Sequence, residues 1–218
     1  MQKKTEDLNL LAKSTGLKIH AGKSKVLKIT PKSDTPIKLD GTPLEDVNTF
    51  TYLGSVIDSH GGTEADIKAR IAKATTAFQQ LKKIWRANKI SLKTKIKLFN
   101  SNVKSVLLYG CETWKTTDTI IRKIQTFVNR CLRKILKIKW EDRVRNDEVW
   151  ERSGQELMST VLGQRKWRWI GHTLRKPQQS VTKQSLQWNP QGARKRGRPR
   201  ETWKRCVERD ERNGILLE

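Results

Sequence analysis

The 218-residue chain has no run of about eighteen apolar residues, so no segment is predicted to span a bilayer as a helix. Its opening Met1-Gln2-Lys3-Lys4-Thr5-Glu6-Asp7 lacks the apolar core of a secretory signal, and none is expected. Cysteine is scarce. Cys111, Cys131 and Cys206 lie far apart and cannot all pair within one chain, which speaks against a disulfide framework and for a reducing compartment. Short-range pairs such as C-x2-C or H-x3-H are also missing, so Cys111, Cys131, His172 and Cys206 form no zinc pattern and no cofactor is indicated. The apolar fraction is 35%, lean for a globular domain though above that of a disordered chain.

Acidic residues are the largest deficit: 22 Asp and Glu stand against 46 Lys and Arg, a net charge of +24. The imbalance is local. Residues 1–62 carry nine basic and seven acidic residues, 63–140 nineteen and four, and 141–218 eighteen and eleven. A solvated helix face accounts for an isolated basic run. A surplus of +15 over residues 63–140 repels itself in a compact state unless a polyanion neutralises it, and points to nucleic acid.

Hydrophobic periodicity changes along the chain. Lys3 to Ser14 reads as a helix end with Gly16 as its cap. Lys25–Thr30 reads as a strand stopped by Pro31, Asp40-Gly41 as the turn of a tight hairpin between Ile37–Leu39 and Thr42–Leu44, and Phe50–Ile57 as a further strand. Beyond His60-Gly61-Gly62 only helical spacing recurs. Thr63 and Asp66 suit a helix start, and the helix is predicted to run from Glu64 to about Ala87 with Ile67, Ile71, Ala74, Phe78, Leu81 and Trp85 inward. Ser91 caps a second, with Leu92, Ile96, Phe99, Val103, Val106 and Leu107 inward; a third spans Thr119–Ile138 with Ile120, Ile124, Phe127, Val128, Cys131, Leu132, Ile135 and Leu136 inward. Further helices are predicted at Asp147–Arg152, Gln155–Arg175 and Arg200–Arg212, with Gln178–Ala193 as a linker.

The order Gly16-Leu17-Lys18-Ile19-His20-Ala21-Gly22-Lys23-Ser24, hairpin, Phe50-Thr51-Tyr52-Leu53-Gly54-Ser55 resembles the end of the palm in reverse transcriptases of non-LTR (LINE-type) retrotransposons, where G-L-x-I-N-x-x-K-S/T precedes an F-x-Y-L-G strand. His20 stands where that family has Asn. Leu108-Tyr109-Gly110-Cys111-Glu112-Thr113-Trp114, Trp167-Arg168-Trp169-Ile170-Gly171-His172 and a later Arg-Gly-Arg-Pro-Arg continue the likeness in the same order over most of the chain. The family's metal-binding aspartates lie upstream of this region. This chain has no adjacent Asp-Asp, so on its own it is predicted not to polymerise, with Mg²⁺ expected only in the full-length family enzyme.

The resemblance implies roles for several residues. Lys23 matches a lysine near the leaving pyrophosphate and is a candidate auxiliary group, or else a surface lysine before a strand. Phe50, Tyr52, Leu53 and Gly54 match the primer-grip strand, with Gly54 either admitting a nucleic-acid backbone or marking a bulge. The helical middle matches the thumb. Its Lys68, Lys82, Lys83, Arg86, Lys93, Lys95, Lys97, Arg122, Arg130, Arg133, Lys134 and Lys137 lie off the apolar stripes and can track phosphates without reading sequence.

Among the eight tryptophans, Trp169 aligns with Met158 and Leu162 and is expected to pack. Trp167 is a candidate for stacking on a base, or else docks on the bundle. Arg196-Gly197-Arg198-Pro199 matches the core of an AT-hook, with Lys195 in place of the first Pro of P-R-G-R-P; a nuclear-import or phosphate-binding patch fits the same residues.

Together these readings predict an α+β chain: short β-hairpin, palm-edge strands over 1–60, a thumb-like helical bundle over 61–140, a helical C-terminal region over 141–177, and a linker with a basic tail over 178–218. The expected partner is an RNA/DNA duplex or target DNA, with no membrane, no metal site and an intracellular, nuclear location. The alternative is an unrelated helical DNA- or RNA-binding protein with an AT-hook-like tail.

Overall fold

The computed structural model describes residues 1–29, 35–59, 62–187 and 202–212. It is mainly helical with a few short strands, an α+β chain as predicted. The chain divides into two units, Met1–Asp66 and Ile67–Glu218.

The first unit opens with α1 (Gln2–Ser14), closed by Gly16 at φ +77°, where the Leu17 amide reaches back to the Ala12 carbonyl at 2.8 Å. Six short strands follow: β1 (Lys25–Val26), β2 (Lys38–Leu39), β3 (Thr42–Pro43), β4 (Glu45–Asp46), β5 (Thr49–Tyr52) and β6 (Ser55–Asp58). The expected Lys25–Thr30 strand shrinks to two residues, because its parallel partner β4 offers only two; Thr30 and Pro31 lie outside the described residues. Asp40 and Gly41, at φ +48° and +78°, turn β2 into antiparallel β3 as the Asp-Gly pair predicts. Gln2 pairs with Lys38 in both directions, its Nε2 donating to the Lys38 carbonyl (3.0 Å) and its Oε1 accepting the Lys38 amide (2.8 Å). Asp40 takes Asn9 Nδ2 at 2.8 Å and Lys13 Nζ at 2.6 Å, and the Lys13 ammonium lowers its pKa.

Phe50–Ile57 is not one strand. It is the antiparallel hairpin β5–β6, turning at Leu53 (φ +48°) and Gly54 (φ +82°) with Tyr52 opposite Ser55. Two consecutive left-handed residues reverse the chain, and glycine tolerates that backbone without steric cost. Among the described residues of this unit, Leu39 is the one buried apolar side chain, while Leu8, Leu10, Leu11 and Leu17 stand exposed.

Helix α2 (Glu64–Gln80) crosses the division between units. The expected Thr63 cap does not form: Thr63 Oγ1 is buried without a partner, and Asp66 Oδ1 instead accepts the Val56 amide of β6 at 2.9 Å. Nor does the helix continue to Ala87. It breaks at Leu81 (ψ +15°) and resumes as α3 (Lys82–Arg86). The break lets Trp85 fold back to stack on Phe78 (5.1 Å between centroids), with its indole Nε1 donating to the Phe78 carbonyl at 2.7 Å.

Ser91 caps α4 (Leu92–Leu98) as predicted, its Oγ accepting the Thr94 amide at 3.2 Å. A π turn over Phe99–Lys104 follows, then α5 (Ser105–Leu107). The interruption has a sequence cause. Lys95, Phe99, Val103 and Leu107 are all buried and spaced by four. In a regular α-helix such a row drifts by about 40° per step; the wider π turn holds it on one face.

After Gly110 (φ +75°) a 3₁₀ turn, Cys111–Thr113, sends Cys111 and Trp114 into the core. Helix α6 (Asp118–Ile135), capped by Thr117 Oγ1 on the Ile120 amide, buries Ile120, Ile124, Phe127, Val128, Cys131, Leu132 and Ile135 of the predicted stripe, while Leu136 is half-buried just past its end. It ends earlier than predicted, where Lys137 turns left-handed (φ +59°) and the Ile138 amide returns to the Arg133 carbonyl at 2.9 Å. Helices α7 (Asn146–Ser153), α8 (Met158–Leu174), α9 (Val181–Gln187) and α10 (Trp203–Arg212) complete the described chain; α9 occupies part of the stretch read as linker.

Candidate nucleic-acid interface

No Asp or Glu occurs between residues 67 and 111, a stretch with eleven Lys and Arg. The fold gathers part of this charge with cations from α6. Lys82, Lys83 and Arg86 on α3, Lys93 and Lys97 on α4, and Arg130 and Lys134 on α6 are all exposed, and α6 packs against both α3 and α4. Lys137 Nζ, just past α6, donates to Asn88 Oδ1 on the α3–α4 connection, so the end of α6 lies beside that junction. Arg130 and Lys134 are four apart and share a face of α6, whose single acidic residue, Asp118, is at the opposite end. The result is a group of exposed cations on helices that pack through α6, with no acidic residue on α3 or α4 and one, Asp118, at the far end of α6.

Three cations predicted to face phosphates do other work. Lys95 is buried, and its Nζ donates to the Trp85 (3.1 Å) and Ala87 (2.6 Å) carbonyls at the end of α3; burial first, and Lys137 second, lower its pKa. Its place in the spacing-of-four row explains why a lysine turns inward: the aliphatic stem joins the apolar stripe and the head satisfies helix-end carbonyls. Arg133 is half-buried, its guanidinium holding the Val144 carbonyl and Asn146 Oδ1, both at 2.8 Å. Lys137, though exposed, is engaged by Asn88.

The palm-like candidates belong to the first unit. Lys23 is exposed in the 3₁₀ turn Ala21–Lys23. Phe50 is half-buried, Tyr52 and Leu53 are exposed at the hairpin end, and Gly54 is a turn residue, not a position within a strand. Trp169 packs as expected, edge-on to Trp203 at 6.0 Å. Trp167 is half-buried, with its Nε1 enclosed and no hydrogen-bond acceptor. Arg196, Gly197 and Arg198 lie outside the described residues.

Sequence reasoning missed two features. Trp140 is 86% exposed on a 3₁₀ turn (Trp140–Asp142) beyond α6. Its only signal in the sequence is its position past the α6 stripe. The other is a buried charge: Lys166 of α8, with 0% of its surface accessible, donates to Thr116 Oγ1 at 2.8 Å and to Asp210 Oδ2 of α10 at 3.2 Å. Helix α10 is further held by Trp203 Nε1 on the Glu112 carbonyl (2.8 Å) and Arg209 on the Thr116 carbonyl. Burial pushes the Cys111 and Cys131 thiols up to about 12, so both are core groups, not nucleophiles. Among the described residues no three His, Cys, Asp or Glu side chains come together as a ligand set. No described helix is long and apolar enough to cross a membrane.

The family described as "Domain of unknown function (DUF6451)" matches residues 77–109, the segment from the end of α2 through α5. A Caenorhabditis elegans protein described as uncharacterized and transposon-derived is 26% identical over 198 residues, covering 86% of this chain and 70% of its own length. The chain is thus related, over most of its length, to a transposon-derived protein. No solved structure matches it.

Proposed function

We propose that the second unit grips the phosphate backbone of a nucleic-acid duplex, as the thumb-like part of a protein derived from a non-LTR reverse transcriptase. The observation that carries this reading is the group of exposed cations on α3, α4 and α6, whose ammonium and guanidinium groups have no carboxylate partner of their own to displace. Similarity to a transposon-derived protein and the ordered palm-to-thumb motifs support it. In this reading Tyr52, Leu53 and Gly54 form the tip of a primer-grip-like hairpin with Phe50 behind them, and Lys23 is auxiliary. The exposed leucines of α1 fit a palm edge on which further palm structure packs. Phosphate contacts set register and affinity without base readout. The proposed site of action is the nucleus.

The test is the salt dependence of duplex binding. With about 6 phosphates neutralised, log K should fall against log salt with a slope of about −5 for DNA. Reversing Lys82, Lys83 and Arg86 to Glu should weaken binding to all sequences alike and flatten the slope by about 3. A flat salt profile for the unaltered protein would overturn the reading.

A further inference from the structure

The geometry points to Trp140 as a stacking platform for an unpaired nucleobase at the end of a duplex held by the cation patch. This deepens the reading just given and rests on it.

Four observations carry it. First, the indole is 86% exposed, while the two other apolar side chains of the same loop, Ile138 and Val144, pack against the core. Leaving a tryptophan in water forgoes the burial that fixes its neighbours. Second, the loop is held at both ends. The Ile138 amide bonds the Arg133 carbonyl at 2.9 Å, the Lys139 amide bonds Asp142 Oδ2 at 2.7 Å, and the Arg133 guanidinium reaches across to Val144 and Asn146. A ligand meeting this indole therefore finds a loop already ordered, which lowers the entropic cost of binding.

Third, the loop is net basic. Lys139, Arg143 and Arg145 are exposed on either side of Trp140 in sequence, against an exposed Glu141 next to it and Asp142, which is occupied in capping the turn. A docking surface for an apolar protein partner needs a contiguous patch; a lone aromatic ring among cations is the arrangement that stacks on bases while neighbouring charges hold the backbone. Fourth, the position is right. Trp140 lies three residues past Lys137, so their Cα atoms are at most about 11 Å apart. Lys137 touches Asn88 at the α3–α4 junction, at one edge of the cation patch. That reach is about three base steps along one strand.

The experiment compares two DNA probes: a blunt duplex, and the same duplex with a short single-stranded overhang containing 2-aminopurine. Their affinities for the unaltered protein, Trp140→Ala and Trp140→Phe are measured, with melting curves confirming that each variant folds. Trp140→Ala should lose about 5- to 150-fold affinity for the overhang probe, the range expected for one stacked base, and bind the blunt duplex unchanged. Trp140→Phe should retain most of the overhang affinity. Quenching of 2-aminopurine by the unaltered protein should vanish with alanine. Equal affinity of Trp140→Ala and the unaltered protein for the overhang overturns the proposal while leaving the cation patch intact, as does an equal loss on both probes. A change confined to self-association of the free protein assigns Trp140 to an interface between copies and also overturns it. Failure of the unaltered protein to bind either probe removes the duplex-grip reading and this inference with it.

Discussion

Lys95 separates two uses of the same side chain. Its neighbours Lys93 and Lys97 face water, whereas Lys95 caps the end of α3 from inside. Replacing it by alanine leaves two carbonyls without their donor and opens a gap in the Phe99–Val103–Leu107 row. The expected cost is about 1–3 kcal/mol, read as a lower denaturant midpoint. Because its ammonium meets no phosphate, the salt slope for duplex binding should not change. Alanine at Lys93 and Lys97 should do the reverse, flattening the slope while leaving stability within about 0.5 kcal/mol. A single lysine inside a basic run cannot be sorted in this way from charge alone. The spacing of four from Lys95 to Leu107 was the available sign.

At the scale of elements, α6 and the Ser91 cap were legible because each is decided within a few residues: a hydroxyl ahead of the first turn, then apolar positions at helical spacing. The break after α2 and the π turn were not. Both turn on side chains one or more helical turns further on, Trp85 folding back seven residues onto Phe78 and the spacing-of-four row from Lys95 to Leu107 staying on one face, a longer reach than a cap. The Asp-Gly hairpin was read correctly from its turn pair. Leu53-Gly54 was passed over because leucine is uncommon at positive φ.

Helix α10 is tied to the core through a buried charge pair. Asp210→Ala would leave the Lys166 ammonium buried without its counter-charge, at an expected cost of about 3–5 kcal/mol in urea unfolding. Replacing both partners together, Lys166→Met with Asp210→Leu, should recover most of that loss, since the penalty comes from the orphaned charge and not from missing attraction. A double variant as unstable as the single one would show that the helix depends on the ion pair itself.

For the molecule as a whole, the chain has no adjacent aspartates to hold a pair of divalent ions in the manner of the family it resembles. Purified protein given a template–primer, nucleotides and Mg²⁺ or Mn²⁺ should show no primer extension. Incorporation that persists through repurification would contradict the reading of this chain as a non-polymerising, thumb-containing protein. The sequence by itself determined the uneven charge, the shift from short strands to helices near residue 60, and the inward stripe of α6, because composition and short-range periodicity are local properties. Only the tertiary structure decided which cations are available to a partner. Lys95 and Arg133 were claimed by carbonyls eight to eleven residues away, and Lys166 by a carboxylate forty-four residues on. It also decided that Trp140 alone of the loop's apolar side chains stays in water. Burial and partner choice depend on backbone turns and on segments that meet only after folding, and Lys166 and Asp210 share no local window of sequence.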